Sequence, residues 1–113
     1  MIITAAHCCA LFSQVDYSFH EIIAGELSPT LNFGGQRSGI KFHLTHPDYN
    51  AQTFENDVCL LYLESDFDFN DKKVAAIPLN KQSLPNSGKS CVVSGWGTTT
   101  VMNFSCVQKF EFD

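Results

Sequence analysis

Glycine, proline and other turn formers recur about every ten residues in this chain, and the apolar segments between them are short. Segments that short suit strands better than helices, so the pattern points to an all-β domain. Phe19 to Ala24 reads as a strand ending at Gly25, and Ser28 to Gly39, rich in Gly, Pro, Asn and Ser, reads as a loop. Gly39 to Thr45 alternates, which puts Ile40, Phe42 and Leu44 on one face. His46 to Asn50 has turn chemistry. Val58 to Leu63 is apolar throughout, which suggests a strand buried on both faces. Asp66 to Lys73, carrying Phe67 and Phe69, reads as a surface turn, and Lys81 to Lys89 as a turn or linker. Cys91 to Ser94 reads as a strand closed by Gly95-Trp96-Gly97, and Gln108 to Asp113 alternates like another.

The 113 residues allow one small domain, and a hydrophobic share of 44% is enough to build a core. A net charge of −5, with seven Lys and Arg scattered along the chain, offers no basic patch for a nucleic-acid backbone. No apolar run has the length of a membrane span. Five cysteines favour an oxidising compartment, and an odd number leaves at least one for a partner outside the chain or as a thiol. Met1-Ile2-Ile3 is too short for a signal peptide's apolar region, so the expectation is that the N-terminal segment of a secreted protein is missing.

Thr4-Ala5-Ala6-His7-Cys8-Cys9 is the first stretch with chemistry in it. A metal site, a disulfide corner and a catalytic base are all open from these residues alone. The metal reading is weak. Adjacent Cys8 and Cys9 point to opposite faces of an extended chain, His43 and His46 do not sit at ligand spacing on a helix, and no CxxC or HxxxH pair occurs. A packed structural histidine is the default for a lone His in apolar surroundings. Asn56-Asp57-Val58-Cys59-Leu60-Leu61 places one acid at the mouth of an apolar strand, where a carboxylate needs a partner because a bare buried charge is costly.

Together these segments resemble the trypsin- and chymotrypsin-like serine proteases. Thr4 to Cys8 matches that family's Thr-Ala-Ala-His-Cys, Asn56 to Leu61 its Asn-Asp-(Ile/Val)-x-Leu-Leu, and Cys91 to Gly97 its Cys-x-Val-x-Gly-Trp-Gly. Tyr49 and the Phe69-Asn70-Asp71 turn also fit. The resemblance covers nearly the whole chain, and several motifs in the right order make it specific.

The resemblance implies an all-β, chymotrypsin-like antiparallel β-barrel. That barrel is incomplete here, comprising the first barrel without its opening strands (about 1–80), then a linker and the start of the second (81–113). It implies serine-type endopeptidase chemistry on polypeptide substrates, with His7 as general base and Asp57 as the acid that orients it. It also implies disulfides from Cys8 and Cys91 to partners outside the chain, while Cys9, Cys59 and Cys106 match no assignable bridge. On this reading Cys59 is a small core residue, and Cys9 and Cys106 are candidates to pair in a longer form. Secretion and a monomeric state are expected, with no cofactor, no metal, no nucleic acid and no membrane partner. The family's calcium loop is expected to bind nothing tightly. Glu26 stands where its first acid would be, but Gly34-Gly35-Gln36 occupies the place of a second.

The family's nucleophile motif, Gly-Asp-Ser-Gly-Gly, does not occur among these residues, and Ser38, Ser87 and Ser94 precede glycine without its flanking residues. The expectation is therefore a protease fragment inactive by itself. The alternative is a non-catalytic protease homologue that acts as a binding or regulatory module.

Overall fold

A computed structural model describes residues 1–10, 12, 16–28, 34–79 and 95–96. The chain divides into two compact units, Met1–Val74 and Ala75–Asp113. Every strand described here belongs to the first. In chain order the elements are β1 (Ile2–Thr4), α1 (Ala6–Cys9), β2 (Glu21–Ala24), β3 (Gln36–Thr45) and β4 (Cys59–Leu63). The all-β expectation holds, with one helical turn that the strand pattern did not signal.

The strands form one antiparallel sheet in the order β1-β4-β3-β2. The first strand thus pairs with the last, Ile2 opposite Leu61 and Thr4 opposite Cys59. That long-range pairing brings residues about His7 next to residues about Asp57. The inward residues of β4, Cys59 and Leu61, join Ala6, Cys9 and Ile40 in the buried core, against which Ile2, Phe12, Tyr17, Ile22 and Tyr49 pack. β4 is less symmetrical than expected. Cys59 and Leu61 are buried, Leu60, Tyr62 and Leu63 are half-buried, and Val58 is exposed just before the strand.

Three strand expectations change. The strand read from Phe19 begins at Glu21, because Phe19 is exposed in a turn closed by the His20 N–H to the Tyr17 carbonyl. β3 begins at Gln36, three residues before Gly39, because Gln36 to Gly39 pairs with Ala24 to Glu21 of β2. The Gly-rich composition of that stretch hid an ordinary ladder. Ile40, Phe42 and Leu44 do not share a face. The pairing steps from Ile40–Leu63 to Phe42–Tyr62, so Lys41 is an extra residue and forms a bulge. One extra residue reverses the alternation beyond it. Ile40 is buried, Phe42 and Leu44 are exposed, and His43 turns inward, its Nδ1 2.7 Å from the Tyr17 hydroxyl. On the outer face Phe42 stacks on Tyr62.

Other turns fall as read. Tyr49 N–H donates to the His46 carbonyl, closing the turn at Pro47-Asp48. β2 ends at Gly25, whose φ of +74° is a left-handed conformation that suits glycine. The next residue, Glu26, is buried, and its carboxylate accepts the Gly35 N–H at 2.6 Å. In the Asp66 to Lys73 turn Phe67 is half-buried and Phe69 exposed. Cys91 to Ser94 and Gln108 to Asp113, read as strands, lie outside the described residues.

A disulfide joins Cys9 to Cys59 across 50 residues. This corrects two expectations: Cys59 is buried but is not a thiol, and Cys9 pairs with it rather than with Cys106. The cause is the β1–β4 register, which places Cys59 opposite Thr4 and hence beside the helical turn that follows it. In the chain-entropy treatment, a crosslink closing a loop of that length destabilises the unfolded state by about 4 kcal/mol.

Leu61, 3% exposed, is the inward residue at the middle of β4. Leu61→Ala is expected to lower the unfolding free energy by about 2–5 kcal/mol, read from the shift in urea midpoint at constant slope.

Candidate active site

The turn α1 starts at Ala6, in a run whose Ala5 and Ala6 carry no bulk and favour helix. Its N-cap residue, Ala5, has no side chain with which to satisfy the first backbone donors. Asp57 supplies the missing acceptor from 50 residues away. Its Oδ1 accepts the His7 backbone N–H at 2.8 Å. Its Oδ2 lies 2.7 Å from His7 Nδ1. The acid at the mouth of the apolar strand thus has partners, two of them on His7. One carboxylate caps the helical turn and holds its histidine ring.

Asp57 is presented by the loop between β3 and β4. His46 N–H bonds the Val58 carbonyl at the base of that loop. Inside it, Asn50 Oδ1 accepts the N–H groups of Gln52 and Thr53, and Phe54 N–H reaches the Asn50 carbonyl at 2.8 Å. Asn56 adopts φ +55°, a conformation asparagine tolerates better than most residues, and its side-chain amide donates to the Asp48 carbonyl at 3.0 Å. The residue before Asp57 is therefore tied both through its backbone and through its side chain.

The two side chains are partly exposed, 36% for His7 and 23% for Asp57. Partial burial pushes the Asp57 carboxyl up. The hydrogen bonds from the His7 ring and backbone, its nearby charge and the Ala6 N–H outweigh this and leave the group below the usual aspartate value. Asp57 is consequently ionised at neutral pH and only accepts hydrogen bonds. The ring proton then belongs on Nδ1, which leaves Nε2 as the basic atom. Cys8 Sγ is 3.5 Å from that nitrogen. Burial, then the charges of Asp57 and Cys8, push the Tyr49 phenol up, so it stays protonated beside the pair.

Phe54 was not anticipated. Its ring meets His7 edge-on, with centroids 5.9 Å apart, and its φ is +57°. A bulky residue in that backbone region is strained. Nothing in the local sequence signals the contact, because the chain folds back through Asn50 to make it. The Cys9–Cys59 bridge was missed too; only with His7 and Asp57 known to be in contact does it become telling that each cysteine follows one of them by two positions.

Of the four expected site residues, the structure brings together His7 and Asp57, places buried Cys8 beside them, and does not describe Cys91. Among the described residues no cluster of three or more His, Cys, Asp or Glu side chains is arranged to hold a metal ion. No helix among them is long and apolar enough to cross a membrane.

With the sheet and the His7–Asp57 contact described, comparison with known proteins assigns the family. Residues 1–109 match the family model described as Trypsin. The chain is 37% identical over 100 residues to serine protease 1 of Canis lupus familiaris, a match covering 87% of this chain and 37% of that protein. It is 37% identical over 100 residues to cationic trypsin-3 of Rattus norvegicus, covering 87% and 36%. It is 32% identical over 112 residues to trypsin alpha of Drosophila melanogaster, covering 99% and 41%. The chain belongs to the trypsin family, and its fold is an incomplete chymotrypsin-like antiparallel barrel. It spans between about a third and two fifths of the length of these relatives.

Asp57 has a folded-state pKa below its ordinary 3.8, so it stabilises the fold above that value and the contribution is lost as pH falls through the lower, folded pKa. Wild-type protein is expected to gain stability as pH rises across that acidic window. Asp57→Asn should lack this increment when urea midpoints are compared as a function of pH. Equal slopes in the two proteins would show that Asp57 does not interact with His7 as described.

Proposed function

We propose that this chain is part of a secreted serine endopeptidase in which His7 is the general base and Asp57 its orienting acid. The observation that carries the reading is the double engagement of Asp57 with His7, through the ring at 2.7 Å and the backbone at 2.8 Å. Membership of the trypsin family supports it.

The chemistry follows from which nitrogen is free. With Nδ1–H held by Asp57, Nε2 accepts the proton of a serine hydroxyl as that oxygen attacks the peptide carbonyl. The resulting imidazolium is stabilised by the carboxylate. Nε2 then returns the proton to the departing amine, and a water molecule repeats the sequence to release the acyl group. The serine required is not found in the family's Gly-Asp-Ser-Gly-Gly setting within these 113 residues. The reading therefore assigns hydrolysis to the intact protein that carries this segment, and none to residues 1–113 alone, because a base without a nucleophile forms no acyl-enzyme. Disulfides from Cys8 and Cys91 to cysteines outside these residues, polypeptide substrates and a monomeric state belong to the same proposal.

The test is hydrolysis of a denatured protein substrate by the intact native protein, with a fluorophosphonate probe to label its serine. Cleavage and labelling are expected, and Asp57→Asn should lower kcat by about 10⁴-fold, as the same change does in the Ser-His-Asp template. Folded intact protein that neither cleaves nor takes up the probe would instead support a non-catalytic homologue that binds polypeptide.

A further inference from the structure

The Cys9–Cys59 disulfide sits where it can do more than staple two distant segments. Cys9 ends the turn that carries His7, and Cys59 begins the strand that follows Asp57. The two crosslinked residues and the two interacting ones have the same separation, 50, and each cysteine stands two positions beyond its partner in the pair. The bond therefore closes a small ring: His7, Cys8 and Cys9 along one arm, Asp57, Val58 and Cys59 along the other, and the two Asp57 hydrogen bonds across the open end.

Apart from the hydrogen bonds within the Asp57 loop, little packing holds that open end. The segment leading to Asp57 is exposed from Asn50 to Asn56, and Val58 immediately after it is exposed too. The first buried residue beyond Asp57 is Cys59 itself, at 0%, while Cys9 is at 1%. Apolar packing thus does not fix the position of the carboxylate. Water also reaches both side chains and competes for the Nδ1–H bond. A covalent tie two residues away keeps the two groups at high local concentration and limits the geometries they sample. With both sulfurs buried, the tie is out of reach of solvent reductants and is constitutive rather than a switch.

We infer that the Cys9–Cys59 disulfide is a positioning element for the His7–Asp57 pair, setting its register independently of its contribution to global stability. The inference rests on the catalytic reading of that pair. The experiment uses intact native protein and two replacements of the bridge, Cys9→Ala/Cys59→Val, which keeps the site apolar, and Cys9→Ser/Cys59→Ser. Val74→Ala, a buried change elsewhere in the same unit, serves as a control for lost stability. Three quantities are read below the melting temperature of each protein: the downfield proton resonance of the His7 Nδ1–H, assigned by its loss in His7→Gln, and kcat and KM on a cleaved peptide.

Both bridge variants are expected to lose or broaden the Nδ1–H resonance and to drop kcat by about ten- to a hundredfold with KM little changed. The control should melt earlier yet keep the resonance and kcat. Bridge variants that melt earlier but keep both would overturn the inference, as would failure of both to fold, since either result makes the bridge a structural staple. Wild-type protein that shows the resonance but cleaves nothing would refute the catalytic reading alone, and the resonance would still report whether the bridge positions the pair. Wild-type protein without the resonance would overturn both.

Discussion

One carboxylate organises the described part of this molecule around it. Asp57 satisfies a backbone donor of α1 that Ala5 cannot satisfy and, with its second oxygen, fixes the ring of the histidine in the same turn. Structural and chemical roles therefore fall on the same two oxygens. The arrangement needs β1 and β4 side by side in one register, because Thr4 opposite Cys59 is what brings the turn after β1 to the loop before β4. A slip of one residue would turn the inward residues of β4 to the other face and separate the pair.

The loop that delivers Asp57 trades packing for hydrogen bonds. It is largely exposed, yet Asn50, Asn56 and the His46–Val58 bond account for much of its backbone. Two of its residues, Phe54 and Asn56, hold positive φ. For Phe54 that conformation costs about 1–3 kcal/mol, and its ring lies against His7 in return. Strain of this kind persists only when the surroundings over-determine the backbone. Here Asn50 bonds on both sides of the bend, and the crosslink at Cys59 closes it.

Much of this was legible from residues alone, for reasons that differ by element. His7 and Asp57 stand out because each lies in a local string that matches a motif of the family the chain resembles, Thr4 to Cys8 and Asn56 to Leu61. β4 and the turn at Pro47-Asp48 were legible because apolar continuity and turn chemistry are local signals. The bulge at Lys41 was not, since alternation in sequence carries no mark of an extra residue, and it reversed the places of Phe42, His43 and Leu44. The start of β3 was obscured by Gly34 and Gly35 just before it and by Gly39, which the ladder tolerates. The Cys9–Cys59 bridge was hidden for another reason: cysteine pairing is a property of strand register, and register is long-range.

The bridge and the carboxylate also divide the work of holding the pair together by the conditions each withstands. The carboxylate acts only while ionised, so acid removes its hold on His7 as its depressed pKa is crossed. The disulfide is indifferent to that proton and is buried from reductants. After protonation of Asp57 the turn and the strand remain tied at Cys9 and Cys59, so returning to neutral pH re-forms two hydrogen bonds within a closed ring rather than re-pairing segments 50 residues apart. The entropy of bringing those segments together is not lost a second time. The covalent tie thus makes the loss of the His7–Asp57 interaction in acid a local event, separable from unfolding of the sheet that carries it.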